Sequence, residues 1–213
     1  MTTFTVTNTN DSGAGSLRQA ILDSNAAGGN NTIEFDPAVI GQTITALSEM
    51  AVTVDTVIDG DIDGDGTDDI TIMVDQDTSL FTLDIDGITL ETSVTIDFDI
   101  DDTLVPFFPS TRGAITVDAE NAEIINRGDI SVAGVNTLDE TIGFSNDRIS
   151  AIDAFGAHFT FMNLGSDSSI VSAGRFAVQQ FLGFESDDDG NFLGFTNGTA
   201  NICLLYTSDA ADE

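Results

Sequence analysis

The segment Asp61-Ile62-Asp63-Gly64-Asp65-Gly66-Thr67-Asp68-Asp69 sets carboxylates at alternate positions, a spacing suited to a hard divalent cation. In a tight loop such carboxylates point into one concavity, Gly66 allows the sharp turn, and Asp69 stands where a ninth-position ligand would. With Asp59 just upstream, six carboxylates fall within eleven residues and repel one another unless a cation neutralises them. Asp59, Asp61, Asp63, Asp65 and Asp69 are therefore the expected metal ligands, and calcium (Ca2+) the expected ion. An EF-hand would need a bidentate Glu at the twelfth position, where this chain has Ile72. With β runs on both sides, the expectation is a free-standing calcium loop between strands; a solvated acidic turn is the simpler alternative.

Other motifs carry less. Asp187-Asp188-Asp189-Gly190-Asn191, and Asp97, Asp99, Asp101 and Asp102, read as charged turns before they read as sites. Arg127-Gly128-Asp129 spells an integrin-type tripeptide, which works only at an exposed loop tip, so coincidence is the expected explanation. His158 is the single histidine, which rules out a His-cluster metal site and leaves little room for a Ser-His-Asp triad. No catalytic residue is assigned. The enzyme alternative is a β-helix polysaccharide lyase or hydrolase, with clustered Asp as acid and base. It lacks lysine and has no obvious sugar-stacking Trp or Tyr beside the acids.

The charge balance agrees with a cation as partner. Asp and Glu number 37 against five Arg and no Lys, a formal net charge of −32. Such a field repels a phosphate backbone and an anionic membrane surface, so nucleic acid is an unsuitable partner. Asp outnumbers Glu 29 to 8; Asp fits turns and short-reach cation sites, whereas saline adaptation could use Glu equally. No apolar run approaches membrane-spanning length, so no membrane insertion is expected. An apolar content of 41% is enough for a packed core.

The elements that must position the acidic loop are short strands. β signals fall at Phe4 to Thr7, Ile33 to Pro37, Thr43 to Leu47, Val52 to Ile58, Ile70 to Val74, Phe81 to Ile85, Val94 to Ile100, Ile115 to Val117 and Ile130 to Val132. In the last full run before residue 101, Val94, Ile96, Phe98 and Ile100 alternate with Thr95, Asp97 and Asp99, giving one dry and one wet face. Helix patterning is confined to Leu17 to about Ala26. There Ser16 and Gln19 are spaced as a capping box, and Leu17, Ala20 and Ile21 share one face. A loose repeat aligns Asn126, Asn163 and Asn197, 37 and 34 residues apart, which signals stacked supersecondary units. Eight of the fifteen Phe lie between Phe155 and Phe195 and suit a stacked core. An antiparallel β-sandwich binding module is the competing architecture.

Gly15-Ser16-Leu17-Arg18-Gln19-Ala20-Ile21 resembles the Cys-Ser-Leu-Arg-Glu-Ala-Ile signature near the start of bacterial right-handed parallel β-helix repeat proteins, with Gly15 in place of Cys and Gln19 in place of Glu. The order of strand, short helix, strands and acidic loop fits the same class. The resemblance implies an all-β solenoid with a short N-terminal capping helix, similar to autotransporter adhesins and RTX-like secreted chains. It further implies a structural and adhesive segment, secreted or at the cell surface, whose partners are calcium and extracellular glycans or a neighbouring cell surface. Residues 1–50 would form the cap and 51–202 the rungs, including the calcium-type loop 59–69. Residues 203–213 look like a translated sequencing adapter and are expected to be non-biological, which would make the chain the N-terminal part of a longer protein.

Overall fold

The computed structural model describes residues 1–74, 79–100, 112–134, 149–155, 158–164, 170–172, 178–181, 184–186, 192–195 and 199–204. Among these, one α-helix accompanies nineteen strands, and the strands pair almost throughout in parallel. The first sheet contains β1 (Thr2–Val6), β2 (Asn31–Phe35), β5 (Thr56–Asp59), β8 (Thr89–Thr92), β11 (Ala122–Asn126), β14 (His158–Asn163) and β19 (Thr199–Leu204). A second sheet contains β3 (Thr43–Ala46), β6 (Thr71–Val74), β9 (Thr95–Ile100), β12 (Ile130–Gly134) and β15 (Ile170–Ser172). The third contains β4 (Met50–Ala51), β7 (Phe81–Leu83), β10 (Arg112–Asp118), β13 (Ile149–Phe155) and β16 (Val178–Phe181). From β2 to β16 the chain visits the three sheets in rotation, so each strand from β2 to β13 pairs with the third one after it. Among the described residues a single antiparallel pair, β17 (Phe184–Ser186) with β18 (Phe192–Phe195), interrupts the sequence before β19. The chain is thus β-rich with parallel sheets and one helix; the antiparallel alternative does not describe it.

Register explains why the short apolar runs suffice. Ile44, Ile72, Ile96 and Ile130 are successive partners in the second sheet and all four are buried. Met50, Phe81, Ile115 and Ile152 form the matching buried column in the third. Burying a side chain of this size contributes roughly 1.5–3 kcal/mol, and a column in register keeps like shapes in contact. The first sheet instead carries polar side chains inward at two places. Asn31 and Thr56 are partners at the helix end, and Thr92, Asn126 and Asn163 are partners further along. All five are buried. Asn126 donates to Asn163 Oδ1 at 2.8 Å, and Asn31 donates to Ser24 Oγ at 3.1 Å.

The repeat of Asn126 and Asn163 is thus a true register pair, 37 residues apart. It extends backwards to Thr92 rather than forwards to Asn197, because Leu204 is the residue paired with Asn163. Asn197 lies outside the described residues. Strand β19 itself continues through Cys203 and Leu204, across the boundary expected at residue 202.

Of the expected run Val52 to Ile58, only Thr56 to Ile58 lie in a strand, β5, because β4 ends at Ala51 before the run begins. The chain changes sheets between them: Val52 is buried, and the Asp55 carbonyl accepts from Asn31 N–H at 3.0 Å.

Helix α1 (Leu17–Ala27) buries Leu17, Ala20, Ile21 and Ser24 against the N-terminal strands. Ser16 accepts from Gln19 N–H at 3.2 Å, as the capping box requires. The return half is absent: the Gln19 side chain donates to Asp23 Oδ1 at 2.8 Å, and Ser16 N–H is already satisfied by the Gly13 carbonyl. Arg18 ties the helix to the turn before β4, donating to the carbonyls of Ser48 and Glu49 and to Asp11 Oδ1. Glycine at position 15 follows from its surroundings. Its φ is +77°, and an added Cβ would meet Thr7 Oγ1 at 2.2 Å.

Candidate metal centre

The acidic loop leaves the end of β5 and returns to β6, so parallel pairing on either side fixes both of its ends. The Gly60 carbonyl accepts from Asp69 N–H at 3.0 Å, closing the loop at its base. Ile62 turns back to pack on the core. Residues 63–67 stand out into solvent, and the loop organises around carboxylates. Asp61 uses both oxygens, accepting from Gly64 N–H at 2.8 Å and Gly66 N–H at 3.0 Å. Asp63 Oδ1 accepts from Asp65 N–H at 3.1 Å. Asp65 Oδ1 accepts from Thr67 through both its N–H and its hydroxyl. Gly64 and Gly66, at φ +77° and +90°, supply the left-handed backbone that this winding needs.

Of the five expected ligands, three converge. One carboxylate oxygen each from Asp61, Asp63 and Asp65 lies within 4.8 Å of the others, with Asp61 half-buried and the other two exposed. Calcium oxygens at 2.3–2.6 Å from a common centre subtend separations up to this size, and an all-oxygen anionic set is what a hard cation takes. Asp59 and Asp69 lie outside the triad. Asp69 Oδ2 accepts from Ile62 and Asp63 N–H, at 2.8 and 3.2 Å. Asp59 Oδ1 accepts from Ser93 Oγ at 3.2 Å and Asp61 N–H at 3.3 Å. These two carboxylates shape the loop from its base.

Hydrogen bonds from the Thr67 hydroxyl and N–H hold the Asp65 carboxyl below its usual range. It is therefore ionised at neutral pH, as a ligand must be.

Asp68 is the residue that sequence reasoning missed. It is half-buried, and Oδ2 accepts from Asp129 N–H at 2.9 Å and from Thr95 Oγ1 at 3.2 Å. One carboxylate thereby joins the acidic loop to the two turns that follow it in the stack. Burial pushes its carboxyl above the ordinary range, helped by the charges of Asp129 and Asp61 and opposed by those two hydrogen bonds. The available sequence signal was the doubled Asp68-Asp69, of which only one member can face the loop.

The tripeptide Arg127-Gly128-Asp129 sits in one of these stacked turns. Gly128 is buried, Arg127 pairs with Glu91, and the Asp129 N–H is engaged by Asp68. It forms no loop tip. A cleft of about 180 Å³ beside it is lined by Thr67, Asp68, Thr95 and Arg127 among others.

The other acidic runs fall partly or wholly elsewhere: Asp101, Asp102 and residues 187–191 lie outside the described residues, as do the side chains of Asp99 and His158. Among the described residues no helix is long and apolar enough to cross a membrane. In comparisons with known proteins the chain matches no family model, and neither a curated protein nor a solved structure is significantly similar to it.

Proposed function

We infer that the chain is a structural and adhesive segment of a large secreted or cell-surface protein, built as a right-handed parallel β-helix whose acidic loop is ordered by calcium. The convergence of Asp61, Asp63 and Asp65 carries the reading. Three anionic oxygens at the end of a short loop repel one another until a divalent cation is present, so the loop would be loose at low cytosolic calcium and ordered at the millimolar levels outside a cell. The rotation of strands through three parallel sheets supports a rod-like stack, in which each unit touches only its neighbours. The net charge of −32 supports an environment rich in cations.

Isothermal titration calorimetry tests the site. Calcium is expected to bind with a stoichiometry of at least one, magnesium more weakly, and Asp63→Asn with Asp65→Asn is expected to lose that site. Equal heats for calcium in the wild type and the double variant would reject it.

A further inference from the structure

Four Asp-Gly peptides lie among the described residues: Asp59-Gly60, Asp63-Gly64, Asp65-Gly66 and Asp86-Gly87. An Asp-Gly peptide is unusually open to attack by its own backbone, because glycine sets no side chain beside the attacking nitrogen. The glycine nitrogen bonds to Cγ of the protonated aspartate carboxyl, whose hydroxyl leaves as water with the nitrogen's proton, forming a succinimide ring. Water then opens the ring at either carbonyl, returning aspartate or giving isoaspartate, with no net change in atoms. The nitrogen can attack only when its N–H is released from other partners and the chain is free to turn toward Cγ.

The four peptides differ in what occupies that N–H. Gly60 is buried and donates to Ser93 Oγ at 2.9 Å, and Gly87 donates to the Glu120 carbonyl at 2.8 Å. Both are ties between stacked turns. Gly64 and Gly66 instead depend on one carboxylate in their own exposed loop, that of Asp61. An added Cβ at Gly64, Gly66 or Gly87 would meet nothing within 4 Å, whereas at Gly60 it would meet Ser93 O at 2.3 Å, so what sets Gly64 and Gly66 apart from Gly87 is the N–H partner and not the space.

We propose that Asp63 and Asp65 are isoaspartate-forming modification sites, kept latent by the Asp61 carboxylate that occupies both glycine N–H groups. Isoaspartate adds a methylene to the main chain and shortens the side chain, so modification would reshape the loop. The proposal does not depend on calcium, and its test is run in chelator so that the two readings fail separately.

Wild-type protein, Asp61→Asn and Asp61→Ala are aged at neutral pH and 37 °C, and isoaspartate at each position is quantified by peptide mapping with mass spectrometry. In the wild type, isoaspartate at Asp63 and Asp65 should exceed that at Asp59 and Asp86 several-fold. Asp61→Ala should raise it several-fold further at positions 63 and 65 alone, and Asp61→Asn, which keeps one acceptor oxygen, should fall between. A rise at all four positions in Asp61→Ala marks unfolding, and the comparison of Asp61→Asn with wild type then decides. Equal accumulation at all four wild-type positions, or no increase in a folded Asp61 variant, would overturn the proposal.

Discussion

Replacing Gly128 by Ala probes the stacking of turns on which the acidic loop rests. Gly60, the Ser93-Val94 peptide and Gly128 lie in three successive turns, and the middle peptide is enclosed by the two glycines. An added Cβ at Gly128 would meet Val94 O at 2.4 Å and Asp68 Oδ2 at 2.5 Å. Both contacts are with fixed or hydrogen-bonded groups, so relief requires the turns to separate. Overpacking of this kind costs about 1–3 kcal/mol. Weakening the 2.9 Å bond between Asp129 N–H and Asp68 adds roughly 0.5–1.5 kcal/mol. The combined loss of about 2–4 kcal/mol corresponds to a fall in Tm of roughly 5–15 °C for a chain of this size. Urea unfolding followed by circular dichroism measures it. Gly64→Ala is the control: its Cβ meets open space and pays only for the left-handed backbone, about 1–2 kcal/mol. A Gly128→Ala midpoint equal to wild type, or above that of Gly64→Ala, would refute the stacked-turn geometry.

Two further outcomes follow from the helix end of the molecule. Ser16→Ala removes the acceptor of Gln19 N–H and should cost about 1 kcal/mol, read as a lower urea midpoint, whereas Gln19→Ala should cost much less because its side chain does not close the capping box. The hydrogen bond from Arg18 holds the Asp11 carboxyl below the ordinary aspartate value of 3.8, so its folded pKa lies under its unfolded one. The resulting stability is present above pH 3.8 and is lost as pH falls through the folded value; the Tm difference between wild type and Asp11→Asn should therefore shrink steadily below pH 4. A difference that stays constant from pH 6 to pH 2 would contradict that assignment.

The parts of this architecture that were legible in the sequence are those fixed by local chemistry. Leu17, Ala20 and Ile21 fall on one helical face by spacing alone, and the structure buries all three. Alternation around Ile96 and Phe98 likewise assigns their inward direction correctly. The loop was visible because Asp at alternate positions beside glycine has few other uses. Register was not legible, since it is set by partners 25 to 41 residues away in the first sheet. Thr92 therefore escaped notice as the forerunner of Asn126: a hydroxyl can replace an amide in a buried polar column without resembling it. The choice between Asp68 and Asp69 depended on the same distant information, because the donors to Asp68 are Thr95 and Asp129.

Thermal unfolding with and without calcium bears most directly on the calcium-ordered loop. Binding to the folded state alone raises stability by mass action, so calcium at a hundredfold excess over its dissociation constant should raise Tm by roughly 5–10 °C over chelator. Asp63→Asn together with Asp65→Asn should remove most of that increase and leave the Tm in chelator at or above wild type, because two mutually repelling charges are gone. An equal increase in the double variant, or the same increase from sodium at matched ionic strength, would contradict the account.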